Sequence, residues 1–277
     1  MNLGGRAPGT ISERSFIQAD CDLGNERLVG RTSSMPTLEG TLRFIRYGFM
    51  PNRLQYCGPT GDNRTLFEYG VEGVSDGGLP PLLGKFTGAL PYLKLIARAN
   101  GLADPFDARV VEAYWIGNEL LEGVEVRQLY DALAERFGKQ LSGRTRELVL
   151  GKAPAGARPH HSFHVLDVHS RVGEMQSTLR TLDECRVSWG NVVGVEGAEL
   201  LVERPALVLR EGKLVLDAPR RERVMRQLDG RGFADRAQPG DWVSLHWGWV
   251  CEVLSERERR NLERYSRYHL ALANQTL

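Results

Sequence analysis

The chain has 277 residues, 42% hydrophobic and 26% charged, with 36 lysines and arginines against 35 aspartates and glutamates. That balance excludes wholesale disorder and leaves enough apolar content for one large core or two ordinary ones. A net charge of +1 supplies no global field to hold a polyanion, so neither nucleic acid nor a membrane surface is an expected partner. The longest apolar run, Trp247 to Leu254, is broken by Gly248 and Glu252 and falls short of the roughly 20 residues of a membrane span.

Residues 1–36 are rich in Gly, Ser, Thr and Arg and show no sustained period, which predicts a flexible leader, with Met1 or Met35 as the true start. The N-terminus lacks the apolar stretch of a secretory signal, and a cytoplasmic location is expected. Four cysteines, at 21, 57, 185 and 251, form no Cys-x-x-Cys pair and are too sparse for a disulfide framework. Reduced thiols are the expectation.

Residues 37–183 carry a helical pattern. Leu42, Ile45 and Phe49 share a stripe, and Asp62-Asn63 reads as a cap before Leu66, Tyr69 and Val71. Asp104-Pro105 reads as a cap and first-turn proline opening a helix that turns Val110, Val111, Tyr114, Trp115 and Leu121 to a core, and a second helix is expected from Val126 to Leu141. After Cys185 the texture changes to β-branched runs broken at Glu196-Gly197 and Glu211-Gly212, which are hairpin signals. Strict alternation from Asp241 to Leu254 predicts one long last strand with Val243, Leu245, Trp247, Trp249, Cys251 and Val253 filling a small barrel. Ser255-x-x-Glu258 is a capping box, and Leu262, Tyr265, His269 and Leu272 then repeat at helical spacing. The fold class is α+β: a helical domain over 37–183, then a small β-barrel with a terminal helix over 184–277.

The barrel half carries two motifs. Cys185-Arg-Val-Ser-Trp-Gly-Asn-Val192 resembles the opening Cys-x-x-x-Pro-Gly-x-Val of the HypC/HupF family of hydrogenase assembly chaperones. Gly240-Asp-Trp-Val-Ser-Leu-His-Trp-Gly-Trp-Val250, with the acidic helix start that follows, resembles that family's Gly-Asp-x-Val-x-x-His-x-Gly-Phe-Ala segment. The resemblance covers the last third of the chain and implies an OB-like barrel acting in [NiFe]-hydrogenase maturation. It also implies that Cys185 binds iron carrying cyanide and carbon monoxide, with His246 as the supporting histidine beside it. The partners it implies are a HypD-type scaffold and the hydrogenase large-subunit precursor. A thiolate is a suitable soft ligand for iron, and adjacent Arg186 is expected to favour its anion. In a closed barrel whose first and last strands pair, Cys185 and His246 should converge within about 10 Å.

Four of the six histidines fall between Pro159 and His169. On a helix, His160, His164 and Asp167 would share a face at i, i+4 and i+7, a metal-ligand spacing, with His161 and His169 as further candidates and Glu112 or Glu119 as a carboxylate from the Trp115 helix. Capping and packing roles for these histidines are the alternative, and a metal-dependent enzyme, iron or zinc, is the alternative function. The loop 51–64 offers Arg53, Cys57 and Arg64 as pocket residues, or an ordinary helix connection built on Asx turns. The arginine run 219–226 is a solvated face or a docking patch. Phosphate-binding Walker loops, nucleophile elbows and His-Glu-x-x-His are absent from the sequence.

Overall fold

The computed structural model describes residues 35–138, 141–172 and 178–277. The expected leader and Cys21 lie outside them. Among the described residues seven α-helices come first, α1 (Met35–Arg53), α2 (Asn63–Glu72), α3 (Leu79–Leu83), α4 (Leu90–Ala99), α5 (Ala108–Trp115), α6 (Val126–Phe137) and α7 (Gly143–Gly151), with a 3-10 turn (Glu119–Leu121) between α5 and α6. In α1 the periodic apolar positions bury Phe44, Ile45 and Phe49. Gly40 lets the α1 backbone touch the loop before α5, since a Cβ there would stand 1.8 Å from the Phe106 carbonyl oxygen. The α5 cap is Asp107, whose side chain accepts from the Arg109 amide. Asp104 instead accepts from the Phe106 amide in an Asx turn, so the expected start at Asp104-Pro105 moves inward by one turn. The helix expected to reach Leu141 ends at Phe137.

The histidine-rich segment is three short pieces: α8 (His161–Phe163), a π-helical turn (His164–His169) and α9 (Ser170–Val172). Next comes α10 (Leu179–Cys185), opened by a Thr178 capping box. Five strands follow, β1 (Ser188–Glu196), β2 (Glu199–Arg210), β3 (Lys213–Met225), β4 (Trp242–His246) and β5 (Trp249–Leu254), and α11 (Glu256–Ala273) ends the chain. The strands close a barrel in the order β1-β2-β3-β5-β4, with β1 antiparallel to β4 and β3 parallel to β5. Both hairpin signals hold, the second turning at Glu211 and Gly212 with positive φ. The arginine run lies on β3 in cross-strand and neighbouring pairs, Arg221 with Glu203 and Arg223 with Glu196, as a solvated face.

The single long last strand is corrected to a hairpin. Trp247 (φ 54) and Gly248 (φ 67) form a two-residue turn between β4 and β5. Reversal at that turn splits the expected row. Val243 and Leu245 fill the barrel with Val250, Val192 and Val202, while Trp249 and Cys251 join the core of the helices and Val253 faces solvent. Trp249 is wholly buried, with the rings of Phe49 and Phe233 each 5.5 Å away. One hydrophobic cluster thus runs from Phe44 on α1 to Leu272 on α11, across the division expected at residue 184.

Charge reinforces the same seam. Arg43 of α1 reaches Glu252 on β5 (2.7 Å), Glu112 on α5 (3.0 Å) and Glu258 on α11 (2.5 Å), all with little exposure. Among the described residues no helix is long and apolar enough to cross a membrane.

Candidate metal centre

A cavity of about 440 Å³ opens where the helices meet the barrel, and four imidazoles cross it in a row. The rings of His246 and His161 are 5.1 Å apart, those of His161 and His164 6.2 Å, and those of His164 and His169 5.9 Å. Cys185 lines one end of the cavity, and Cys57, from the α1–α2 loop, also lines it. At the first end the ligand atoms of His161, Cys185 and His246 all lie within 4.8 Å of one another.

Each of these three is placed by a separate element. Cys185 is the last residue of α10 rather than the opening of a strand. Three residues on, β1 begins and pairs Ser188 with Leu245, next to His246 at the end of β4. The Trp247 amide donates to the Glu184 carbonyl at 2.8 Å, which ties the β4–β5 turn to the end of α10. His246 donates from Nδ1 to the Tyr47 carbonyl (2.7 Å), which fixes the tautomer and leaves the Nε2 lone pair buried with no hydrogen-bond partner. His161 lies between the Tyr114 hydroxyl (3.1 Å from Nδ1) and the Cys185 carbonyl (2.9 Å from Nε2).

Burial keeps this end of the cavity uncharged. It pushes the Cys185 thiol up to about 12 and the His246 imidazole down to about 4, and it drives His161 well below its ordinary value. The expectation that Arg186 favours the thiolate is overturned. Its guanidinium turns away to Asp183 (2.8 Å) and the Pro205 carbonyl (2.6 Å), leaving the Trp247 indole as the group that opposes the rise.

The expected set His160, His164 and Asp167 is not one site. His160 is extended (φ −109, ψ 152), caps α8, and stands outside the helix. A buried relay holds it: the Arg158 amide donates to His269 Nε2 (3.2 Å), His269 Nδ1 meets the Ser162 hydroxyl (2.8 Å), and that hydroxyl meets His160 Nδ1 (2.7 Å). Asp167 is wholly buried against Lys152 (2.8 Å), with Arg171 at 3.8 Å. The π turn is the physical reason. Its i→i+5 winding sets His164 beside His169 instead of aligning positions i, i+4 and i+7.

Of the loop and carboxylate candidates, only Cys57 lines the cavity. Arg53, Arg64 and Glu119 are exposed, and Glu112 is taken by Arg43 and Arg257 (2.7 Å). The cation that does line it is Arg136 on α6, and nothing in the sequence of Val126–Phe137 shows which helix face meets a cavity.

Fold and cavity together define a helical layer packed on a five-stranded barrel, with a histidine and cysteine cluster at the seam. The chain belongs to a family of unknown function, DUF6390, whose model matches residues 36–277 and so spans helices and barrel alike. No curated protein and no solved structure matches the chain.

Proposed function

We propose that this protein carries a single transition-metal ion bound by the Cys185 thiolate and the imidazoles of His161 and His246. The observation that supports it most is the buried, unpartnered Nε2 lone pair of His246 beside two further donors within 4.8 Å. A buried acceptor left without a donor costs about 1–3 kcal/mol, which a metal bond there would offset. One thiolate and two imidazoles suit iron or zinc and leave a position open to the cavity. His161 presents Nε2 once its proton moves to Nδ1, where the Tyr114 oxygen accepts it, and once the ring turns off the Cys185 carbonyl that Nε2 now meets at 2.9 Å.

Iron carriage in [NiFe]-hydrogenase assembly, with a HypD-type scaffold and the large-subunit precursor as partners, is the role we assign from the two barrel motifs. The strand order, with β3 parallel to β5, suits the OB-like barrel those motifs imply. A cytoplasmic location goes with that role. The metal would be cargo, bound as an iron-cyanide-carbonyl unit. A metal-dependent enzyme is the second function, favoured by the room the cavity keeps beyond the three ligands.

Anaerobically purified protein tests the proposal. About one equivalent of iron, lost in Cys185→Ser and passed to a hydrogenase precursor, is the expected result. Metal at background in wild type ends both functions, and multiple turnover of a small substrate without loss of the metal favours the enzyme.

A further inference from the structure

Beyond the three ligands, the cavity carries a positive charge that its walls do not balance. Arg136 lines it and donates from Nη1 to the Gly88 carbonyl (3.1 Å) and from Nη2 to the Thr87 carbonyl (2.8 Å). The Phe137 and Tyr92 rings lie 4.8 and 5.6 Å from its Cζ. Carbonyls and rings orient a guanidinium without neutralising it, and among the described residues no aspartate or glutamate lines the cavity. A planar guanidinium has five N–H groups, so several remain for a ligand.

A second donor faces the same space. The Tyr92 hydroxyl lies 3.4 Å from His164 Nδ1, and in the tautomer where the hydroxyl donates, the neutral ring carries its proton on Nε2. That Nε2 and the Cys57 sulfur stand 3.7 and 3.5 Å from where a Gly88 Cβ would be, so glycine keeps this corner open. Burial and the charge of Arg136 hold His164 far below its ordinary value, and burial lowers His169 as well. Phe86, Val168 and Val172 complete an apolar wall.

We propose that this part of the cavity binds the carboxylate of a small monocarboxylic acid, with Arg136 and His164 as its donors and the apolar wall around its hydrocarbon tail. A monoanion matches one guanidinium among neutral imidazoles, whereas a phosphate dianion would bring an uncompensated charge out of water. The subsite uses none of the three metal ligands and stands apart from the carrier function.

Full-length protein stripped of metal by chelation tests it, with propionate as the probe and the fluorescence of Trp115 and Trp247, which line the cavity, as the signal. Propionate should give a saturable change, and uncharged propionamide of the same shape should bind at least about tenfold more weakly, the loss of one charge-assisted hydrogen bond. Arg136→Gln should weaken propionate by at least about tenfold, with Arg136→Lys between. Inorganic phosphate should compete poorly. No saturable response to propionate, propionamide binding as well as propionate, or phosphate binding more tightly would each overturn the proposal. The propionamide comparison needs only wild-type protein, so a poorly folding variant does not blunt it.

Discussion

His246 Nδ1 lies 2.7 Å from the carbonyl oxygen of Tyr47, and through this bond α1 sets the orientation of a barrel histidine. The Tyr47 hydroxyl in turn donates to Glu252 at 2.6 Å, and Glu252 holds Arg43. The donor cluster is therefore built on the contact between helices and barrel, and changes in that contact should reach it.

Removing Arg43 tests this coupling. Arg43→Met leaves Glu258 and Glu252 poorly compensated in a buried setting and should cost about 3–5 kcal/mol in unfolding free energy, read by denaturant titration. Metal affinity should fall with it. A loss below about 1 kcal/mol would mean that the ion cluster does not tie the two layers together.

The histidines make stability depend on acid. All six have lowered pKa values, His246 down to about 4 and His160 to about 3, each through burial. A group depressed in the folded state contributes stability that is present above its unfolded value near 6.5 and is lost as pH falls toward its folded value. Metal-free protein should therefore lose several kcal/mol between pH 6.5 and 4, at about 1.4 kcal/mol per pH unit for each fully buried histidine. A flat melting temperature across that range would contradict the buried, neutral state of the cluster.

His160 and His164 should separate in effect. His160→Ala breaks the relay to Ser162 and His269 and should destabilise the fold by about 2 kcal/mol while metal content stays unchanged. His164→Ala should leave metal content unchanged too, but it removes a donor from the cavity wall. Loss of metal in His160→Ala would restore the ligand set that the helical spacing implied.

Metal uptake should release one proton from the thiol. Because burial holds Cys185 up at about 12, apparent affinity should rise about tenfold per pH unit from 6.5 to 9. Affinity independent of pH there would show that the thiolate is not a ligand.

Several features were legible in the sequence and others were not, for physical reasons. The motif order placed Cys185 near His246 because strand pairing closes a barrel, and the capping box at Ser255 gave the start of α11. The β4–β5 turn was hidden because Trp247 continues an alternating apolar run while adopting a positive φ, uncommon for a bulky residue. The π turn leaves no signature either, so the regular helical period assigns His160, His164 and Asp167 a common face that the segment does not have. Arg136 enters the cavity through tertiary packing of α6, which a helical repeat does not record.

The most direct measurement is the absorption spectrum of the chelated, reduced protein titrated anaerobically with Co²⁺. One equivalent should produce a thiolate-to-cobalt charge-transfer band together with the visible bands of a low-coordinate site, and both should vanish in Cys185→Ser and weaken strongly in His246→Ala, with the fold retained. A titration with no charge-transfer band, or a band that persists in Cys185→Ser, would contradict a metal centre at Cys185, His161 and His246.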